Sequence, residues 1–148
     1  MAKFKQNNLE LGANHYIVVD PTPTADHTGS GLKATMTVDV NATGIAAALY
    51  IASDGNYEEA DASAAATMPC SAIALEAGTG SKKVLLQGFI RDDTWNWTPG
   101  SRIYVSETTG ALTATQPSTS LACVQPIGIA THADRIWFNP TLDFVEVA

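Results

Sequence analysis

The chain has 148 residues, 45% of them hydrophobic and 16% charged, with a net charge of −7. That length suits one domain with a sizeable core, or two small units sharing one. The low charge content argues against disorder. Eight Lys and Arg scattered among fifteen Asp and Glu make nucleic acid a poor partner. No stretch approaches the roughly 20 apolar residues of a membrane-crossing helix, so no membrane is expected either.

In chain order, Met1 to Asn8 places no apolar run behind Lys3 and Lys5, so no export signal is expected. His15 to Val19 is a first β-type run. Pro21 to Gly31 follows as a long polar connection with two prolines. The clearest periodic stretch is Leu32 to Val40, with apolar side chains on even positions and polar ones on odd. Period two predicts a strand with one dry face and one wet face. Further strands are expected at Leu49 to Ala52, Ser71 to Leu75, Lys83 to Ile90, Arg102 to Val105, Pro126 to Ala130 and Arg135 to Phe138. Turn signals separate them, at Ser53-Asp54-Gly55-Asn56, Gly78-Thr79-Gly80-Ser81, Thr98-Pro99-Gly100 and Thr108-Thr109-Gly110. Glu58 to Thr67 has helix-favouring alanines, but Asp61 and Ser63 compete for backbone hydrogen bonds. It reads as a loop with at most one helical turn. Many short strands at this spacing predict an all-β barrel or sandwich with little helix.

The sequence also repeats weakly. Leu49-Tyr50-Ile51 resembles Ile103-Tyr104-Val105, Ala72-Ile73-Ala74 resembles Gly128-Ile129-Ala130, and Lys83-Val84-Leu85 resembles Arg135-Ile136-Trp137. The order is kept and the offsets stay between 52 and 56 residues. Two similar β-units, about 33–90 and 91–138, are therefore expected within a single β domain spanning 15–148. Neither unit has enough strands to bury its own apolar face.

Chemistry is sparse. His15, His27 and His132 fall in unlike contexts, with no metal-ligand spacing among them. His132 reads as a surface turn residue. Asp92-Asp93 could seed a cation site, but adjacent carboxylates in a turn are more often solvated. Gly78 to Lys83 lacks the order and the following helix of a phosphate loop. Cys70 and Cys123 read as buried free thiols. No catalytic residue, metal ligand or cofactor is expected, and the chain does not read as an enzyme. Trp95 and Trp97, two residues apart, would point the same way on extended backbone. They are candidates for a subunit interface, with a sugar-stacking platform as the alternative and capping of the core end as the plainer reading.

The second half is familiar as a series of motifs: Gln87-Gly88-Phe89-Ile90-Arg91, Pro99-Gly100-Ser101-Arg102-Ile103-Tyr104-Val105-Ser106, Thr109-Gly110-Ala111-Leu112-Thr113 and Ile127-Gly128-Ile129-Ala130. With the ending Val145-Glu146-Val147, it resembles the small capsid decoration ("cement") proteins of tailed bacteriophages, the lambda-type head-decoration or β-tulip family. The resemblance implies a compact β-barrel-like body that forms a homotrimer on the outer surface of the virion. It implies bridging of neighbouring major capsid protein subunits, without catalysis or cofactor. It also implies an N-terminal arm that orders on the capsid, here Met1 to Asn14, with Lys3, Phe4, Lys5, Leu9 and Leu11 as candidate contacts. Alternatively, that segment is an ordinary first strand. A phage tail or head-fibre module, binding a host surface or glycan through Trp95 and Trp97, is the competing function.

Overall fold

The computed structural model of the protein describes residues 18–39 and 44–148. Its strands are β1 (Gly29–Val38), β2 (Ala48–Ile51), β3 (Tyr57–Glu59), β4 (Cys70–Ala74), β5 (Gly80–Arg91), β6 (Arg102–Val105), β7 (Leu112–Thr113), β8 (Cys123–Val124), β9 (Pro126–His132), β10 (Arg135–Phe138) and β11 (Val145–Glu146). A single 3₁₀ turn, Ala65–Thr67, is the only helical element among the described residues. The fold is all-β, as expected. The stretch read as a loop from Glu58 divides into the end of β3 and the 3₁₀ turn. Of the strand expected at His15 to Val19, Val18 and Val19 belong to no regular element, and the rest lies outside the described residues.

Five strands close a barrel in the order β1-β3-β2-β4-β5, with β1 returning to β5. All neighbours are antiparallel except β1 and β3, which meet in parallel at Val38 and Tyr57. Val38, Leu49, Tyr57, Ala72, Ala74 and Val84 fill this barrel, with Ala34 and Met36 packed against them. The far end of β5 pairs instead with β10, and the sheet continues through β9, β6 and β7. A separate ribbon joins β8 and β11.

The two halves of the chain repeat in register as well as in sequence. In the first, Ala48 faces Ile73, Leu49 faces Ala72, and after an irregularity Tyr50 faces Cys70. In the second, Arg102 faces Ile129, Ile103 faces Gly128, and after an irregularity Tyr104 faces Pro126. The next pairs correspond too: Ile73 with Leu85 and Ala74 with Val84, against Ile129 with Trp137 and Ala130 with Ile136. β5 serves both units. It is the fifth strand of the first, and its last residues pair with β10 as β1 pairs with β5: Lys33 and Ala34 face Leu85 and Val84, while Phe89 and Ile90 face Trp137 and Ile136. Among the described residues the second unit does not close a ring of strands.

The main core lies where the outside of the barrel meets the concave side of the second unit. Ile73 and Leu85 from the barrel wall pack there with Ile90, Ile103, Ile127, Ile136 and Phe138. Each such side chain, fully buried, contributes about 1.5–3 kcal/mol. Gln125 is buried in the same region and substitutes for a missing strand partner. Its Oε1 accepts from the Cys70 backbone N–H and its Nε2 donates to the Cys70 carbonyl, both at 2.8 Å, which ties β4 to the chain 55 residues later.

β5 can change partners because it is bulged and locally free of side chains. Leu32 pairs with Gln87 but Lys33 pairs with Leu85, so Leu86 is the extra residue. Of the alternation expected from Leu32 to Val40, Ala34, Met36 and Val38 point inward and Leu32 is exposed, while Val40 lies outside the described residues. Next to the bulge Gly31 faces Gly88, with φ of +143° and +145°. A Cβ on Gly88 would sit 2.1 Å from the Ser30 carbonyl oxygen, and one on Gly31 would sit 2.2 Å from that of Gln87. Gly88→Ala is expected to lower stability by about 3 kcal/mol or more in a denaturant titration.

Candidate functional site

Three features of the described residues could carry function: a charged cluster beyond β5, the tryptophan pair that follows it, and the outer face of the second unit.

The charged cluster forms where the β5 exit meets the β9–β10 turn and the loop before β1. Arg91 reaches Asp93 through Nε at 2.6 Å and Asp134 through Nη2 at 2.7 Å. Asp134 also bonds His132 Nδ1 at 2.6 Å. Burial pushes the Asp134 carboxyl up, but the hydrogen bond from His132 and the Arg91 charge outweigh it and hold the group below its ordinary value. His132, at the end of β9, is exposed and engaged in this ion network, in keeping with a surface turn histidine.

Asp92 is different. Its position continues the inward phase of Ile90, so its side chain is only 7% exposed, unlike that of a solvated turn carboxylate. Oδ1 accepts from the Thr94 backbone N–H and hydroxyl, which folds the chain back after the strand. Oδ2 faces His27 Nε2 at 3.5 Å, and the same nitrogen lies 3.6 Å from Asp26 Oδ2. In the sequence 65 positions divide His27 from Asp92. No spacing rule could have joined them.

Trp95 and Trp97 stand side by side with ring centroids 5.6 Å apart and planes tilted by 50°. Both are half-buried against the main core, and the Trp97 indole N–H is buried without a hydrogen-bond partner. The backbone N–H of Trp97 donates to the Ala133 carbonyl at 2.8 Å, which ties this connection to the β9–β10 turn. Trp95 and Thr94 border a cavity of about 350 Å³, together with Glu59, Ala111 and Leu112, on the side where the second unit fails to close. The pair thus caps the open end of the core. It does not present two coplanar faces.

The outer face of β5, β10, β9 and β6 carries a cross-strand row of Phe89, Trp137, Ile129 and Arg102. Trp137 is 39% and Ile129 43% exposed, and Leu32 beside them is 60% exposed. Grooves of about 630 and 170 Å³ flank Trp137 on its two sides, the larger bordered by Leu32, Gln87 and Phe89. Sequence patterning did not single out this row, because Ile129 and Trp137 lie in strands that read as ordinary core strands. The arm residues Lys3, Phe4, Lys5, Leu9 and Leu11 lie outside the described residues.

No family model matches the chain, and no match was found among curated proteins or solved structures.

Cys70 and Cys123 are both buried and unpaired. Burial pushes the Cys70 thiol from 9.0 up to about 12, and burial together with Glu146 raises Cys123. Neither is a thiolate at neutral pH, and only the thiolate attacks. Both groups are expected to resist a thiol reagent at pH 8 until the protein unfolds, as read by the rate of colour release. A folded-state value above the unfolded one favours folding below the unfolded value and loses that contribution as pH rises. Melting temperature should therefore fall as pH climbs from 9 towards 12.

Proposed function

We propose that the protein is a non-catalytic structural module of a phage virion. It works as a homotrimer on the outer surface of the capsid and bridges neighbouring major capsid protein subunits. The reading rests on the motif series between Gln87 and Ala130 and, above all, on one asymmetry between the repeated units. In the first unit, Ile73 and Leu85 are fully buried because the second unit covers them. Their register counterparts, Ile129 and Trp137, occupy the same outward positions in the second unit and remain uncovered.

Leaving such a row in water forgoes about 25 cal/mol for each Å² that a partner would bury. A contiguous exposed apolar row marks an interaction surface, and tryptophan with arginine at its edge is the composition of an interface anchor. The acidic body, with seven more negative than positive charges, disfavours nucleic acid as the partner. A protein surface suits the row better.

The test mixes purified protein with undecorated capsids of the virus that encodes it. The wild type is expected to saturate at a fixed ratio per capsomer, and light scattering to give a mass of three chains. Trp137→Asp and Ile129→Asp, with melting temperatures near wild type, should weaken capsid binding about a hundredfold, as for an anchor worth 2–4 kcal/mol. Unchanged binding by both variants, or binding to host cells and glycans in place of capsids, would overturn the proposal.

A further inference from the structure

Beyond that reading, we propose that Asp26, His27 and Asp92 form a binding site for a zinc-type divalent ion. The site would clamp the loop before β1 to the exit of β5. His27 Nε2, Asp26 Oδ2 and Asp92 Oδ2 lie within 4.8 Å of one another. The imidazole nitrogen is 3.6 Å from the first oxygen and 3.5 Å from the second, too long for hydrogen bonds. Zinc bonds of about 2.0–2.1 Å in a tetrahedral shell put ligand atoms about 3.3 Å apart. The two His27 separations are thus close to those a shared ion would set, with the fourth position left to water.

The remaining partners of these side chains point the same way. Asp26 Oδ1 is occupied, accepting the backbone N–H groups of His27 and Asp93 at 2.9 and 2.8 Å. Asp92 Oδ1 is occupied by Thr94. Each carboxylate is thus fixed through one oxygen and offers the other. Among the described residues neither Oδ2 receives a hydrogen bond. The Asp92 carboxylate is more than nine-tenths buried, and its Oδ2 faces His27. A buried carboxylate normally has its lone pairs satisfied or a cation beside it. The Arg91 guanidinium is held by Asp93 and Asp134. Two carboxylates neutralise a dication, and a nitrogen donor selects zinc and its transition-metal neighbours over calcium and magnesium.

His27 sits at φ +55°, which Asn tolerates, so His27→Asn removes the nitrogen ligand with little backbone strain. Zinc chloride titrated calorimetrically into the tag-free full chain should bind one ion per chain and raise the melting temperature. His27→Asn should weaken binding at least about tenfold, while His132→Asn leaves it unchanged. Asp92→Asn should act like His27→Asn, and if it fails to fold, His27→Asn decides alone. Absence of saturable zinc uptake up to millimolar concentration overturns the proposal. So does uptake that persists in His27→Asn, or calcium binding more tightly than zinc.

Discussion

The contact between Gly31 and Gly88 is the constraint on which the rest of the architecture depends. β5 is twelve residues long and belongs to two units, and it must leave one ring of strands to start the next. A strand can do this only by coiling sharply against its neighbour. Here the backbones of β1 and β5 approach so closely that any β-carbon would collide with a carbonyl oxygen. The bulge at Leu86 supplies the phase change. Odd-numbered Leu85 and even-numbered Ile90 thereby both reach the main core. Without that shift, the apolar residues of the two units could not meet on one side of the shared strand.

Sharing β5 also makes the units unequal, although they are built alike. The first closes on itself around Val38, Leu49, Tyr57, Ala72, Ala74 and Val84, with Ala34, Met36 and Leu86 partly buried against them. The second stays open among the described residues, and its concave side is filled by the outer wall of the first. Trp95 and Trp97 cap the opening where a closing strand would lie. The arrangement uses one unit's outer face as the other unit's core, and the final outer face in the series has no further unit to cover it. The exposed Trp137 and Ile129, with half-buried Phe89 beside them, follow from this geometry.

Composition, period-two patterning and turn residues were enough to read an all-β domain, and most strand positions follow from the local sequence. The similar apolar residues at offsets of 52 to 56 fall in strands with corresponding pairings, β2 with β4 and β6 with β9. The short strands were not legible. β3 lies in an alanine-rich stretch with helical propensity, and pairing with β2 and β1 on both sides overrides that preference. Leu32 matched its strand pattern but lies past the point where the register with β5 breaks.

The sequence by itself determined the secondary-structure type and the burial of both thiols, because each depends on neighbours a few residues away or on composition. Only the tertiary structure decided which apolar strand residues stay exposed, since Ile73 and Ile129 are locally equivalent and differ only in what packs on them. It also decided that the carboxylate of Asp92, read as merely solvated in a turn, is buried beside His27. Contacts between residues 65 positions apart depend on how β5 and the loop before β1 come together in space, and no local periodicity encodes that meeting. The tertiary structure thus brings out two features that no local pattern shows, an exposed apolar stretch on the outer sheet face and a carboxylate–imidazole cluster.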